Sequence, residues 1–583
     1  MNAEAKLQAD RDDESIIGAL GTGKSFLVEA GAGAGKTYSL MRVIDWLQDN
    51  KKEEYRRKKQ KVVCITYTNA AVDVISGRLK DHSFIEPTTI HAFAWRAISQ
   101  YQEVLVAKIR ADEAYVVVDA DMSKISGVTY DLGSRTIDDK NKIHLYHNDV
   151  ISLFAWLLEK KKFRDIFSQR FPLILIDEYQ DSFACIIDKF KECFISQKCG
   201  PQFGFFGDAW QTIYQTNNVC GEINDPNLQI IKKGANFRSA PKIVNLLNKI
   251  RPGLPQIAAI NDIDGGGEVA IVSCDDFTGA RRVDRNFRDD LPEVELSNRI
   301  SALETKIQRL DPAGKDTIKT LLITHRMLAT QQRYVDVLKA LGNERFRNLE
   351  DSVLEFVIKQ IEPAFYALKA DDVVALSDVF GIRQYPIVCK QQKNKWKEFY
   401  VELVRARNQT ILDVLLLIKS TNLLPIPPKV SEIIKRFQDN PHQEYQEATL
   451  EDYLGIAYNQ FASAAQFFRP ESIYSTDHGV KGEEYDNIIF GITKGWNQYD
   501  FPKYAPMIPT ECYPVDKKDS YIRNRNLFYV CCSRPKKRLV IFISVPVSDD
   551  FKRFLIDLAG EECYYTYPDY INVLDERIRR ISS

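Results

Sequence analysis

Two stretches of this chain could cradle the phosphates of a nucleotide, and one acidic run could help to cleave them. GALGTGKS (18–25) fits the pattern GxxxxGK[ST] letter for letter, whereas AGAGAGKT (30–37) has Ala30 where glycine is usual. A phosphate loop needs a buried strand before it and a helix starting at its Lys-Thr, because consecutive backbone N–H groups and a helix N-terminus hold the anion. Lys24 and Ser25 are followed by FLVEA, which reads as a strand. Lys36 and Thr37 are followed by YSLMRVIDWL, in which Leu40, Met41, Ile44 and Leu47 share one helical face. The second stretch is therefore assigned the role. Ala30, Gly31, Ala32, Gly33, Ala34 and Gly35 would wrap the phosphates, with the glycines allowing close backbone approach. Lys36 would reach the β- and γ-phosphates, and Thr37 would be a Mg²⁺ ligand. Further on, LILIDEYQDS (173–182) is an apolar run ending in adjacent carboxylates. Asp177 would hold Mg²⁺ and Glu178 would orient or deprotonate the attacking water. Surface Asp-Glu pairs are usually solvated, but four apolar residues immediately ahead of this one argue for the end of a buried strand.

These groups need a scaffold, and the chain repeats one kind of signal that supplies it. Strand-like runs occur at FLVEA (26–30), VVCIT (62–66), LILI (173–176), FGFF (203–206), TLLIT (320–324), NIIFGI (487–492) and LVIFI (539–543). Each is followed by polar or glycine-rich residues, as in parallel sheets that carry function on the loops at strand C-termini. Four runs precede residue 240 and three follow residue 320. The expected fold is α/β: two domains with parallel sheets, each carrying a mostly helical insertion. The first domain is read over 1–96 and 166–240, with an insertion at 97–165. The second is read over 241–344 and 466–583, with an insertion at 345–465. Cys531 and Cys532 lie in another apolar run read as strand-like, poorly placed for a zinc site.

Once LIDEYQD is placed, the remaining segments resemble the ordered motifs of the UvrD/Rep-type superfamily 1 DNA helicases across almost the whole chain. VVCITYTNAAVDVISGRL (62–79), TTIHAFAWRAI (88–98), GDAWQTIY (207–214), ANFRS (235–239), TLLITHRMLATQQR (320–333), STDHGVKGEEYDNIIF (475–490) and RNLFYVCCSRPKKRLVIF (525–542) follow in the family's order. The resemblance implies an ATP-dependent motor that moves 3′ to 5′ along single-stranded or partly duplex DNA, with both α/β domains RecA-like P-loop domains and ATP and Mg²⁺ in the cleft between them. It also implies roles. Gln211 would sense the γ-phosphate, Arg238 and Arg534 would neutralise it from the far side, Glu484 would touch the ribose, and Phe237 would stack on the adenine. Tyr67, Thr68, Asn69, His91, Phe93, Tyr214 and His478 occupy positions that resemble the family's DNA-contacting loops. Stacking on aromatic rings is how single strands are gripped without regard to sequence. Two departures stand out. Thr216 replaces a base-stacking ring, and Ser15 stands where an adenine-reading glutamine belongs, with Gln8 too far upstream in sequence.

Bulk properties limit the alternatives. The chain has 583 residues, too many for one core, and its hydrophobic and charged fractions of 44% and 27% are those of ordinary soluble proteins. A net charge of -1 gives no global attraction to nucleic acid, so a DNA path must come from local clusters such as KKEEYRRKKQK (51–61), KQQKNKWK (390–397) and RPKKR (534–538). Of these, the run containing Trp396 is the best candidate for a duplex or partner contact. The N-terminus lacks a secretory signal and no long uncharged apolar run is present, so a cytoplasmic location without membrane attachment is expected. The segment after residue 542 shows no nuclease constellation, and no intrinsic nuclease is expected. The small second insertion resembles compact family members found beside OLD-type nucleases in Gabija-like anti-phage systems, as much as DNA-repair enzymes. Two readings stand: a DNA-dependent ATPase and helicase, or a DNA-responsive nucleotide-binding subunit that switches a partner nuclease.

Overall fold

The computed structural model describes residues 2–66, 69–79, 84–117, 120–130, 135–212, 219–260, 266–311, 317–322, 329, 332–347, 349–380, 387, 389–469, 474–476, 483–494 and 498–582. Two six-stranded sheets form its frame. The first contains β1 (Phe26–Ala30), β2 (Val62–Thr66), β3 (Ile85–Thr89), β4 (Leu173–Asp177), β5 (Gln202–Gly207) and β6 (Gln229–Lys233), in the order β3-β2-β4-β5-β1-β6. Every pairing is parallel. Such strands are buried on both faces, and successive side chains alternate between two cores. Phe26, Val28, Val62, Cys64, Leu173 and Leu175 face helices α1 (Ala3–Gly21) and α2 (Lys36–Asn50), whereas Leu27, Val63, Ile65, Ile174 and Ile176 face the opposite side.

The second sheet is built on the same plan from β7 (Glu268–Ser273), β8 (Ile318–Leu322), β9 (Tyr474–Thr476), β10 (Tyr485–Ile492), β11 (Pro535–Ile543) and β12 (Tyr564–Thr566). Its order is β9-β8-β10-β11-β7-β12, again all parallel. Ile488, Phe490, Leu539 and Ile541 enter one core with α3 (Pro241–Ile250) and α5 (Lys518–Cys532); Ile489, Val540 and Phe542 enter the other. Cys531 and Cys532 are buried at the end of α5, which corrects the strand-like reading of that run. This helix is apolar on all sides over its last two turns because it is packed on all sides, and that erases the 3.6-residue periodicity.

Residues 97–165 are not only helical. Beside the helices Gln102–Ala111 and His147–Leu158 they hold a three-stranded sheet, Gly127–Tyr130, Thr136–Ile137 and Lys142–Leu145. Between 345 and 465 the described residues form helices and one short hairpin, Glu444–Tyr445 with Ala448–Thr449, around a core of their own. Trp396 belongs to that core, edge-on to Phe380 and Phe399 within α4 (Lys390–Ala406), and is 2% exposed. In the run 390–397 the indole thus faces inward, while Lys390, Lys395 and Lys397 are exposed. Among the described residues, no helix is long and apolar enough to cross a membrane.

Candidate nucleotide site in the seam between two lobes

The loop between β1 and α2 rises from a buried strand and ends at the first residue of a helix. Gly33 and Gly35 have φ of 74° and 76°, values that L side chains rarely adopt. A Cβ on Gly33 would stand 2.6 Å from Asn236 Oδ1 and 2.8 Å from Arg238 Cβ, so the residue must be small as well as left-handed. The loop is fastened to the segment after β6: Phe237 N–H donates to Gly33 O at 2.8 Å and Asn236 Nδ2 to Ala32 O at 3.0 Å. GALGTGKS lies at the opposite end of β1. There Gln202 donates to the Lys24 carbonyl and the Ser25 hydroxyl accepts the Phe203 N–H.

Charge is concentrated where the loop meets β4. Lys36 Nζ lies 3.0 Å from Glu178 Oε2. Burial lowers the lysine's proton affinity, but the carboxylates of Glu178, Asp208 and Asp177 outweigh it and the pKa is raised. Asp177 is pushed up to about 7, first by burial and then by repulsion from Glu178. Glu178 itself sits in the left-handed region, at φ 49°, which turns its side chain off the strand direction toward Lys36. These half-buried adjacent carboxylates, together with the hydroxyl residue Thr37 in the first turn of α2, offer the hard oxygen donors that suit a divalent cation such as Mg²⁺. Asp177 and Thr37 would hold it.

From Glu178 a chain of polar contacts crosses the seam. Gln180 donates to Glu178 Oε2 at 2.5 Å and accepts the Asp208 N–H at 3.0 Å. Gln211 donates to Asp208 Oδ2 at 2.8 Å, and Arg534 Nη2 donates to Gln211 Oε1 at 3.2 Å. Arg534 is 1% exposed, and its other acceptors, the Val530 and Glu483 carbonyls and the Ser533 hydroxyl, are neutral like Gln211. Burial and the nearby Arg238 depress its pKa to about 9. A guanidinium held this way is a positive charge placed for an anion. Arg238 pairs with Glu484 at 3.0 Å and donates to the Ser533 carbonyl, and Glu484 also pairs with Lys536 at 2.8 Å. Phe237 is 37% exposed and its ring comes 3.9 Å from the Cβ position of Gly35, so an aromatic face stands at the mouth of the phosphate loop.

The residues expected to meet DNA are less gathered. Tyr67, Thr68, Tyr214 and His478 lie outside the described residues, and of Asn69 only the backbone, at the start of helix Asn69–Arg78, is described. His91 is half-buried, 4.6 Å from the His147 ring and edge-on to Phe183; burial and then His147 pull its pKa down to about 4. Phe93 is a correction. It is fully buried against Phe154, Phe167 and Phe171, and a ring enclosed by three others has no face left for a base. Other residues of the seam escaped the sequence reading. Gln180 and Asn236 lie inside quoted motifs but carry no separate signal. Gln256, which shares the Asn236 amide, and Tyr529, whose hydroxyl accepts the Ala32 N–H, are recognisable only once the lobes face each other.

Comparison with known proteins agrees with this geometry. Residues 13–217 match the family described as AAA domain. The match takes in β1 to β5 of the first lobe. Its P-loop, β4 carboxylates and Gln211 all fall inside the matched residues, whereas Arg238, Glu484 and Arg534 come from beyond them. Over its length the chain is also similar to the Gabija protein GajB of Bacillus cereus (strain HuB5-5), at 21% identity covering 95% of this chain and 98% of that protein. Both findings stand with the UvrD/Rep-type resemblance of the motifs, and the two lobes have the α/β architecture that resemblance implies.

Proposed function

We propose that the chain is an ATP-dependent translocase or helicase on single-stranded DNA, moving 3′ to 5′ and acting in a Gabija-like defence system with a partner nuclease of OLD type. The observation that carries this reading is the unbroken polar path from Lys36 through Glu178, Gln180, Asp208 and Gln211 to the buried Arg534. Phosphoryl transfer asks the protein for positioning and charge neutralisation more than for covalent chemistry. The backbone of 31–35 and Lys36 hold the triphosphate, and Glu178 takes the proton of the attacking water while Gln211 fixes its place. Arg534 and Arg238 meet the γ-phosphate from the second lobe, so turnover and lobe closure become one event. Mg²⁺, which Asp177 and Thr37 would hold, would supply positive charge against the triphosphate. Single-stranded DNA would run past His91 and the segments around 67–68, 214 and 478.

Arg534→Ala tests the reading. It should keep nucleotide affinity, measured with a fluorescent diphosphate, and lose DNA-stimulated phosphate release by about 10³-fold or more. Loss of affinity with turnover per bound nucleotide preserved would sink the finger role. The substitution of Thr216 for a base-stacking ring favours a second reading, a DNA-responsive switch on a partner nuclease. Strand displacement on forked duplexes separates the two: hydrolysis without displaced strand supports the switch.

A further inference from the structure

Arg251 caps the end of α3, on the side of the second lobe, yet its guanidinium reaches into the first lobe. It forks between two carboxylates there, with Nη1 2.6 Å from Asp208 Oδ1 and Nη2 2.5 Å from Glu29 Oε1. Its carbon lies 5.1 Å from the Trp210 ring and 5.7 Å from that of Tyr529. The residue is 4% exposed and Asp208 is fully buried.

Each of these four partners leads to a different part of the seam. Glu29 is the penultimate residue of β1, two positions ahead of Gly31. The second oxygen of Asp208 accepts the amide of Gln211. The hydroxyl of Tyr529 accepts the N–H of Ala32 in the phosphate loop. Trp210 is also covered by Arg525 at 4.0 Å, and the next residue, Asn526, donates to the carbonyls of Ala209 and Thr212. Packing alone does not require this arrangement, because apolar residues fill a buried interface without the desolvation of two acids and a base. What a planar guanidinium adds is a fixed angle between two carboxylates, which a point-like ammonium does not impose.

We infer that Arg251 is a positioning residue for triphosphate turnover: it sets the Asp208 carboxylate that aims Gln211 and locks it to the strand that delivers the phosphate loop. The γ-phosphate sensor and the cradle are then held to one another and to the end of α3. This rests on the nucleotide reading of the seam, and it assigns a role to a residue outside that machinery's motifs.

Arg251→Lys keeps the charge and loses the fork. It should lower kcat for triphosphate hydrolysis by up to about 10²-fold with KM changed little, as expected when a reacting group is displaced and binding is not. In a Gln211→Ala background the same substitution should cost almost nothing, because its route is already cut. An equal loss in both backgrounds, or a raised KM at unchanged kcat, overturns the inference, since packing damage acts without regard to Gln211. Affinities give a second readout that does not need turnover or the variant's full stability. Wild-type protein and Arg251→Lys should show the same preference for a non-hydrolysable triphosphate over the diphosphate; a preference lost in the variant means that binding itself is damaged and counts against the role. Wild-type protein that binds neither nucleotide overturns the seam reading and this inference together.

Discussion

Lys36 is already engaged by Glu178 at 3.0 Å, so an incoming triphosphate must take over the ammonium and leave the carboxylate free to face water. That exchange is what Lys36→Ala removes. It should abolish hydrolysis in a phosphate-release assay, while Lys24→Ala, at the other end of β1, leaves the rate nearly intact; the opposite pair of results would move the phosphate site to GALGTGKS. Phe93 makes a different statement at the same scale. Phe93→Ala opens a void in a fully packed aromatic cluster and should cost about 3–5 kcal/mol in urea unfolding. Because the ring has no exposed face, the affinity of the folded fraction for single-stranded DNA should stay unchanged, and a weakened affinity at equal stability would restore Phe93 to the DNA path.

At the level of elements, one buried acid governs how the short edge strand β9 is held. Glu304 accepts the Thr320 hydroxyl at 2.6 Å and the Tyr474 hydroxyl at 2.8 Å, and burial raises its pKa from 4.5 to about 7 despite both. The folded state therefore binds the proton more tightly than the unfolded chain. The associated stability is present below about pH 4.5 and is lost as pH rises through 7, on the order of 3 kcal/mol in all. Melting temperature followed from pH 5 to 8 should fall with rising pH, and Glu304→Gln should flatten that slope; an unaltered slope would remove Glu304 as its source. Elements also divide what could be read in advance from what could not. The central strands β1, β2, β4, β5, β8, β10 and β11 are apolar runs because neighbours cover both faces, and they were legible for that reason. Edge strands such as β3 (IEPTT) and β6 (QIIKK) carry polar residues and a proline, as solvent-side positions permit, and resemble loops on paper. β7 (EVAIVS) is apolar enough to have been found and was passed over. The phosphate loop and its carboxylates announce themselves because strand, turn and helix are adjacent in the chain. Arg251 and Tyr529 do not, since each gains its meaning from a partner more than two hundred residues away.

The whole molecule carries several cores that share few side chains. Residues from 329 to 465 close around their own cluster, with Asp351 accepting from Tyr453 at 2.5 Å and Glu362 from Tyr458 at 2.6 Å deep inside it. By contrast Ala32 of the phosphate loop packs in the second lobe's core, which joins the lobes across the nucleotide seam. Urea unfolding should therefore show at least two transitions, seen as non-coincident far-ultraviolet and tryptophan signals, with nucleotide shifting only the one that reports on the seam. A single coincident transition would mean that the helical cluster has no independent stability.

The matched AAA segment stops at residue 217, but β6 begins at Gln229 and pairs along the full length of β1. A polypeptide cut to 13–217 would thus leave Phe26, Leu27 and Val28 on a bare sheet margin, with main-chain donors and acceptors open to any neighbouring molecule. Expressed alone it should gather into aggregates on size-exclusion chromatography, whereas a version running from residue 2 to 236, which restores β6, keeps α1 whole and stops before the apolar face of α3, should stay dispersed. Recognition of the domain by pattern and its survival as a separable body are different properties, and here a single strand sets them apart.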